Sequence, residues 1–113
     1  MHEMSIIMSM MEIVKYHMME NRVTHLKKLK IRVGKLTAVE PQSLMFCFEV
    51  YTHGTSMEGA FLEIEDVPLL SKCKNCKDEF YREEFFSHCP VCNSDFIENI
   101  SGHELDVVSM EAE

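Results

Sequence analysis

At 113 residues the chain has room for one modest hydrophobic core and a small appendage. Its formal net charge of −8 argues against a general nucleic-acid binder, whose phosphate-facing surface has to be basic. The start carries no basic segment, and the apolar run from Met4 to Met11, interrupted by Ser5 and Ser9, is too short to cross a bilayer; neither a secretory signal nor a membrane span is expected.

From Glu3 to about Asn21 the pattern is helical. Met4, Ile7, Met8, Met11, Val14 and Met18 recur at three- and four-residue steps, Ile6, Met10 and Ile13 widen that face, and Ser5, Ser9, Glu12, Tyr16 and Glu20 fall opposite. Seven of the ten methionines lie in the first nineteen residues. A thioether copper site is one reading of them; a methionine stripe at helical spacing is more simply core packing.

At Lys28–Val33 the period switches to two, with Leu29, Ile31 and Val33 on one side and Lys30 and Arg32 on the other, which predicts a strand with one wet face. Gly34 allows a bend, after which Leu36–Val39 are expected to continue extended. Pro41 is well placed to open a second helix carrying Leu44, Phe48 and Tyr51, flanked by Met45, Phe46, Cys47 and Val50 and expected to be mostly buried. Cys47, the odd thiol, reads as a free core cysteine. Phe61–Asp66 alternates again, with Glu63 and Glu65 placed to face Lys30 and Arg32 across neighbouring strands. Phe96–Ile100 reads as extended, Ser101-Gly102 as a turn and Leu105–Met110 as a last strand.

Between Arg22 and Val39 stand Arg22, Lys27, Lys28, Lys30, Arg32 and Lys35 with no acid among them, more than half of the eleven basic residues. Either this is a solvated strand face or it is a docking patch for an acidic protein surface.

The sharpest signal is Cys73-Lys74-Asn75-Cys76, twelve residues, then Cys89-Pro90-Val91-Cys92. Each pair sets two thiolates on one tight turn, and two such turns supply the four corners of a tetrahedron, the geometry zinc takes in closed structural sites. Pro90 stiffens the second turn and Asn93 tolerates the left-handed conformation that ends it. The alternatives are a disulfide pair or a redox CxxC; the latter needs a βαβ setting that neither pair has. A closed four-thiolate site leaves no position for substrate, so this zinc organises rather than catalyses. Thiols spaced for metal also point to the cytoplasm. The loop between the pairs carries Phe80, Tyr81, Phe85 and Phe86, but Lys77 and Arg82 are outnumbered there by Asp78, Glu79, Glu83 and Glu84, so base stacking on nucleic acid is not expected and the rings are read as covering the metal or a partner.

The architecture expected is α+β: a base domain (1–70 plus 101–113) of two helices packed on a three-stranded sheet, with a zinc-ribbon subdomain (71–100) inserted before the last strand. At the N-terminus, the Met1 amine, the His2 amide nitrogen and the His2 imidazole can wrap a divalent ion in fused chelate rings. Copper(II) and nickel(II) favour such planar nitrogen sets, and zinc does not. The Glu3 amide, its carboxylate or an outside ligand would complete the square. A histidine at position two also occurs with no role at all. His17, His25, His53 and His103 are each singly placed and read as surface or capping residues.

Met1-His2-Glu3-Met4-Ser5 leading a helix, a middle α/β segment and a CxxC-x12-CxxC ribbon before a final strand resemble, over essentially the whole chain, the HypA family of nickel metallochaperones in [NiFe]-hydrogenase maturation. The resemblance implies a nickel carrier rather than an enzyme, with no catalytic residues. His2 would be the indispensable transient Ni2+ ligand, with Glu3 beside it and the Met1 amine in the set. A structural Zn2+ would sit on Cys73, Cys76, Cys89 and Cys92. Implied partners are the GTPase HypB, the hydrogenase large-subunit precursor and, for some members, urease maturation proteins, with neither nucleic acid nor membrane. In some members histidines follow the cysteine pairs and modulate the zinc; here Lys77 and Asn93 hold those positions, and His88 instead precedes the second pair, which argues against a histidine-based switch. Two rival readings remain open on residues alone: a zinc-ribbon module for protein or nucleic-acid interaction, and a thiol oxidoreductase.

Overall fold

The first helix, α1 (Glu3–Glu20), opens with an acid in its first turn, where the helix dipole favours negative charge, and buries Ile7, Met10, Met11, Val14 and Met18. A computed structural model of the chain describes residues 3–82 and 88–113. After α1 come β1 (Leu26–Gly34), a single 3-10 turn (Lys35–Thr37), α2 (Pro41–Thr52), β2 (Phe61–Val67), β3 (Leu70–Cys73), β4 (Glu79–Tyr81), β5 (Ile97–Asn99) and β6 (Leu105–Ala112). The strands make two three-stranded sheets, ordered β2-β1-β6 and β4-β3-β5. The fold is α+β, and the chain divides into two compact units. One comprises Met1–Arg32, Val39–Glu65 and Asp106–Glu113; the other comprises Val33–Ala38 and Asp66–Leu105.

The core of the first unit joins the α1 stripe to Leu44 and Phe48 of α2, Leu26, Leu29 and Ile31 of β1, Leu62 of β2 and Met57. Each of these is a side chain removed from water at roughly 25 cal/mol per Å² of apolar surface. Met8 and Ile13, expected on the buried face of α1, are about half exposed. They lie on the two flanks of the stripe, and only its centre is covered. A similar correction applies to α2. Its sequence is apolar nearly all round, yet only Leu44, Phe48 and Thr52 are buried, while Met45, Phe46 and Val50 face solvent. Pro41 does open this helix, where a missing N–H costs nothing, and the Glu40 carboxylate accepts from the Gln42 N–H at 3.1 Å. The buried Thr52 hydroxyl is satisfied by the Phe48 carbonyl at 2.9 Å.

The outer face of β2-β1-β6 is a ladder of opposite charges. Lys28 meets Glu63 at 3.1 Å, and Lys30 reaches Glu63 at 3.6 Å and Glu65 at 3.5 Å. Arg32 instead forks onto Asp106 of β6, Nε to Oδ1 at 3.1 Å and Nη2 to Oδ2 at 2.7 Å. The expected facing of Glu63 and Glu65 with Lys30 is therefore present, Lys28 joins it, and Arg32 turns to the other neighbouring strand. Lys27 closes on Glu113 at 3.0 Å. The cations of β1 are consumed within the sheet, which favours the solvated-face reading over the docking patch.

Leu36–Val39 do not continue as a strand. Lys35–Thr37 coil into a 3-10 turn, held by Thr37 Oγ1 on the Gly34 carbonyl (2.8 Å) and by Leu36 N–H on the Gly102 carbonyl (2.8 Å). Gly34 itself is extended (φ −80°, ψ 148°), so it serves no bend. It is required by proximity: a Cβ there would stand 2.1 Å from the Gly102 carbonyl oxygen.

In the second unit β3 is central, pairing antiparallel with β4 (Ser71 opposite Phe80) and with β5 (Ser71 opposite Asn99). The strand at Glu79–Tyr81 was not foreseen, since Phe80 and Tyr81 read as part of a loop. Tyr81 is exposed rather than covering the cysteines; Phe85 and Phe86 lie outside the described residues. Arg82 follows β4 and ties the sheet together, donating from Nε to the fully buried Ser71 hydroxyl at 2.8 Å and from Nη2 to Asn99 Oδ1.

Candidate metal centre

The two CxxC turns are built alike, residue for residue. The Lys77 N–H donates to the Cys73 carbonyl (2.9 Å) as the Asn93 N–H donates to that of Cys89 (2.8 Å). The Cys73 N–H donates to the Asp78 carbonyl (2.9 Å) as the Cys89 N–H does to that of Ser94 (3.0 Å). Lys77 (φ 70°) and Asn93 (φ 62°) both take the left-handed conformation that closes each turn. Asn93 was expected there. Lys77 was missed, because lysine carries no left-handed preference; its equivalence to Asn93 in the repeated spacing was the available signal.

This backbone brings Cys73, Cys76, Cys89 and Cys92 together, with all four sulfurs within 4.8 Å of one another. Across the turns, Cys73 Sγ lies 3.5 Å from Cys92 Sγ and Cys76 Sγ 3.6 Å from Cys89 Sγ. A tetrahedral zinc with bonds of about 2.3 Å needs sulfurs about 3.8 Å apart, so the set fits such an ion. Cys73 and Cys89 are buried and Cys76 and Cys92 exposed.

The turns also supply donors to the sulfurs. The Cys76 N–H points at Cys73 Sγ (3.4 Å), the Val91 and Cys92 N–H groups at Cys89 Sγ (3.4 and 3.5 Å), and the Asn75 side chain at Cys92 Sγ (3.7 Å). The Cys76 N–H, aided by that of Asn75, brings the Cys73 thiol down to about 6 against the burial that opposes it. Cys89 is lowered likewise, chiefly by the Cys92 N–H. At Cys76 an N–H bond from Asp78 favours the thiolate, but partial loss of water around the sulfur and the neighbouring sulfurs of Cys89, Cys73 and Cys92 prevail and push it up to about 12. Without a cation, four clustered thiols share protons. A dication would make all four thiolates and expel those protons.

Of the other expected site residues, Glu3 is the first residue of α1 and half-buried. Met1 and His2 lie outside the described residues. His88 is bound by its Nδ1 to Asp95 at 2.5 Å, a partner the sequence did not suggest. His53 pairs with Glu58 at 2.9 Å, His25 Nδ1 lies 3.3 Å from the Ser56 carbonyl oxygen, His17 stacks edge-on to Tyr16, and His103 is exposed. Cys47 is half-buried in α2. Among the described residues no helix is long and apolar enough to cross a membrane.

An α/β unit joined to a three-stranded ribbon that ends in a four-cysteine cluster defines a small metal-binding protein of the ribbon-bearing α+β class. The family model described as "Hydrogenase/urease nickel incorporation, metallochaperone, hypA" matches residues 1–112, and the chain belongs to that family. Among its relatives, the hydrogenase maturation factor HypA of Lawsonia intracellularis is 40% identical over 118 residues, covering 100% of both chains. That of Trichodesmium erythraeum is 41% identical over 113 residues, covering 100% of this chain and 96% of the relative. The solution structure of the Ni metallochaperone HypA from Helicobacter pylori shares the fold, with a TM-score of 0.67 at 23% identity over 99% of this chain and 97% of that one. A second HypA solution structure gives 0.72, at 23% identity over 100% and 97%.

Proposed function

We propose that this protein carries nickel(II) at its N-terminus and hands it to the maturation machinery of [NiFe]-hydrogenase, while a zinc ion on Cys73, Cys76, Cys89 and Cys92 holds its ribbon. The observation that carries the reading is the family match, which begins at residue 1 and so includes Met1, His2 and Glu3. The four-sulfur geometry supports the zinc half. The Met1 amine, the His2 amide nitrogen and the His2 imidazole supply three in-plane nitrogens to nickel, and Glu3 stands next to them to complete or tune the set. A site with only three donors of its own keeps a corner open to a receiving ligand, which suits a cargo that has to leave. The zinc set, closed by four thiolates, suits an ion that stays. The protein is a carrier rather than an enzyme. It works in the cytoplasm with the GTPase HypB and the hydrogenase large-subunit precursor, and the urease half of the family description extends the same role to urease maturation.

The test is a comparison of the native N-terminus with a short N-terminal tag and with His2→Ala. A tag turns the amine into a neutral amide and moves His2 inward. Both changes should abolish tight nickel binding, measured by titration calorimetry, while zinc content and helicity stay unchanged. Tight nickel binding that survives the tag would refute the N-terminal site.

A further inference from the structure

On the first unit, α1 carries a cation that the ladder of β1 does not use. Lys27, Lys28, Lys30 and Arg32 each hold a carboxylate within the sheet. Lys15 holds none: among the described residues it forms no ion pair, and its ammonium rests 5.0 Å from the centre of the Tyr51 ring of α2. Hydrogen bonding to Tyr51, and more weakly the charge of Glu12, raises its pKa, so it stays fully cationic.

Lys15 stands at the rim of an open groove of about 610 Å³ where α1 and α2 both end. Met18, Val23 and Met57 line it with Met19 and Tyr51, and no carboxylate does. Met18 and Met57 are buried, whereas Met19 is 76% exposed, an unbranched thioether standing in water beside an apolar surface. Methionine adapts its shape to whatever enters, which suits such a surface for recognition.

The helix ends bordering the groove do not call for a cation. Their last carbonyls are already taken: His17 by the Asn21 N–H and side chain, Met19 by the Arg22 N–H, Met18 by the Val23 N–H, Glu49 by the His53 N–H and Thr52 by the Thr55 N–H. The cation that lines the groove is the Lys15 ammonium. On a chain of net charge −8, a basic partner finds acids across much of the surface. An acidic partner finds an unpaired cation over an apolar floor here.

We propose that this groove docks a segment of a partner protein that inserts large apolar side chains over Met18, Met19 and Met57 and sets a carboxylate on Lys15. The volume takes a few side chains rather than a whole helix, so the occupant is an anchor on an amphipathic acidic segment. This docking is independent of which metal the chain carries.

The probe is a synthetic amphipathic peptide with leucines at helical spacing and glutamates along one flank, together with its counterpart in which every glutamate is lysine. Methyl NMR of the methionines in the full chain reads where each binds. The acidic peptide is expected to shift the Met18, Met19 and Met57 methyls saturably and to leave that of Met110 in β6 unmoved. Lys15→Glu should weaken it about tenfold and admit the lysine peptide instead. Lys15→Gln should fall between, and because Lys15 is exposed both variants keep the wild-type circular dichroism. The proposal is overturned if neither peptide moves those methyls, or if both bind the wild type equally well. Methyl shifts that grow with protein concentration without peptide would also overturn it, assigning the groove to a second copy of the chain.

Discussion

Replacing Gly34 by alanine sets two effects of opposite sign against each other. At φ −80° and ψ 148° an alanine is unstrained, and removing a glycine from the unfolded ensemble would by itself stabilise by about 0.5–1 kcal/mol. The new Cβ, however, would stand 2.1 Å from the Gly102 oxygen, 2.3 Å from its carbonyl carbon and 2.7 Å from the Glu104 nitrogen. All three are backbone atoms, so no rotamer change relieves them. Ordinary contact begins near 3.4 Å, and the two chains have to part by more than an ångström. That separation breaks the bonds from Gly34 N–H to the Glu104 carbonyl (2.6 Å) and from Leu36 N–H to the Gly102 carbonyl (2.8 Å). Each costs about 1–1.5 kcal/mol, more where a donor is left dry. The net expectation is a loss of about 2–3 kcal/mol, read as a fall of about 1–2 M in the urea midpoint of the metal-loaded protein. Gly54→Ala is the control. Its φ of +75° imposes strain but nothing lies within 4 Å, so its loss should stay near 1 kcal/mol. An unchanged or higher midpoint for Gly34→Ala would refute the close-approach argument.

Cys73→Ser or Cys92→Ser should remove the zinc and disorder residues 73 to 92 while α1 persists; elemental analysis with amide exchange checks both, and a Cys73–Cys76 disulfide in zinc-free protein as isolated would overturn the reading. Leu44→Ala empties a fully buried site in α2 and should cost about 2–5 kcal/mol by thermal unfolding. Hydrogen bonding from Arg32 holds the Asp106 carboxyl below the usual carboxylate range. A folded pKa below the unfolded one means stability that is complete above pH about 4 and lost as pH falls through the lowered value. Both side chains are over a third exposed, so Asp106→Asn should cost only about 0.5 kcal/mol at pH 7 and progressively less as the pH is lowered, by urea titration at several pH values. Reversing Lys28 and Lys30 to glutamate should lower stability slightly by removing the ladder, and leave the salt dependence of partner association unchanged, as stopped-flow at two ionic strengths would show.

Periodicity located α1 within a residue of its end, and Pro41 opened α2 where proline chemistry said it would. The cysteine spacing brought four sulfurs to one point because a CxxC turn is a local structure, closed by its own hydrogen bonds. What was not legible depended on partners distant in sequence. The exposure of Met8, Ile13, Phe46 and Val50 reflects how much of each helix its neighbours cover, and an apolar side chain does not announce whether it will be covered. Arg32 chose Asp106, 74 residues away, over the nearer-seeming Glu65. Gly34 looked like a bend and was a clearance for another stretch of backbone. The 3-10 turn after it and the short β4 strand follow from tertiary hydrogen bonds, which outweigh local propensity over three residues.

The likeness of the two cysteine turns has a kinetic corollary. Each turn is a two-tooth chelator closed by its own backbone hydrogen bonds, with N–H groups aimed at its first sulfur, Cys73 or Cys89. Capture of an ion therefore proceeds through a half-ligated complex, held by one turn while the other arrives at an effective concentration fixed by the intervening residues. Loss runs the same path backwards, and a single opened turn recloses faster than an ion held by two sulfurs departs. A competing chelator would have to intercept that half-open species, so transfer of the ion to it should be slow even where the equilibrium favours the chelator.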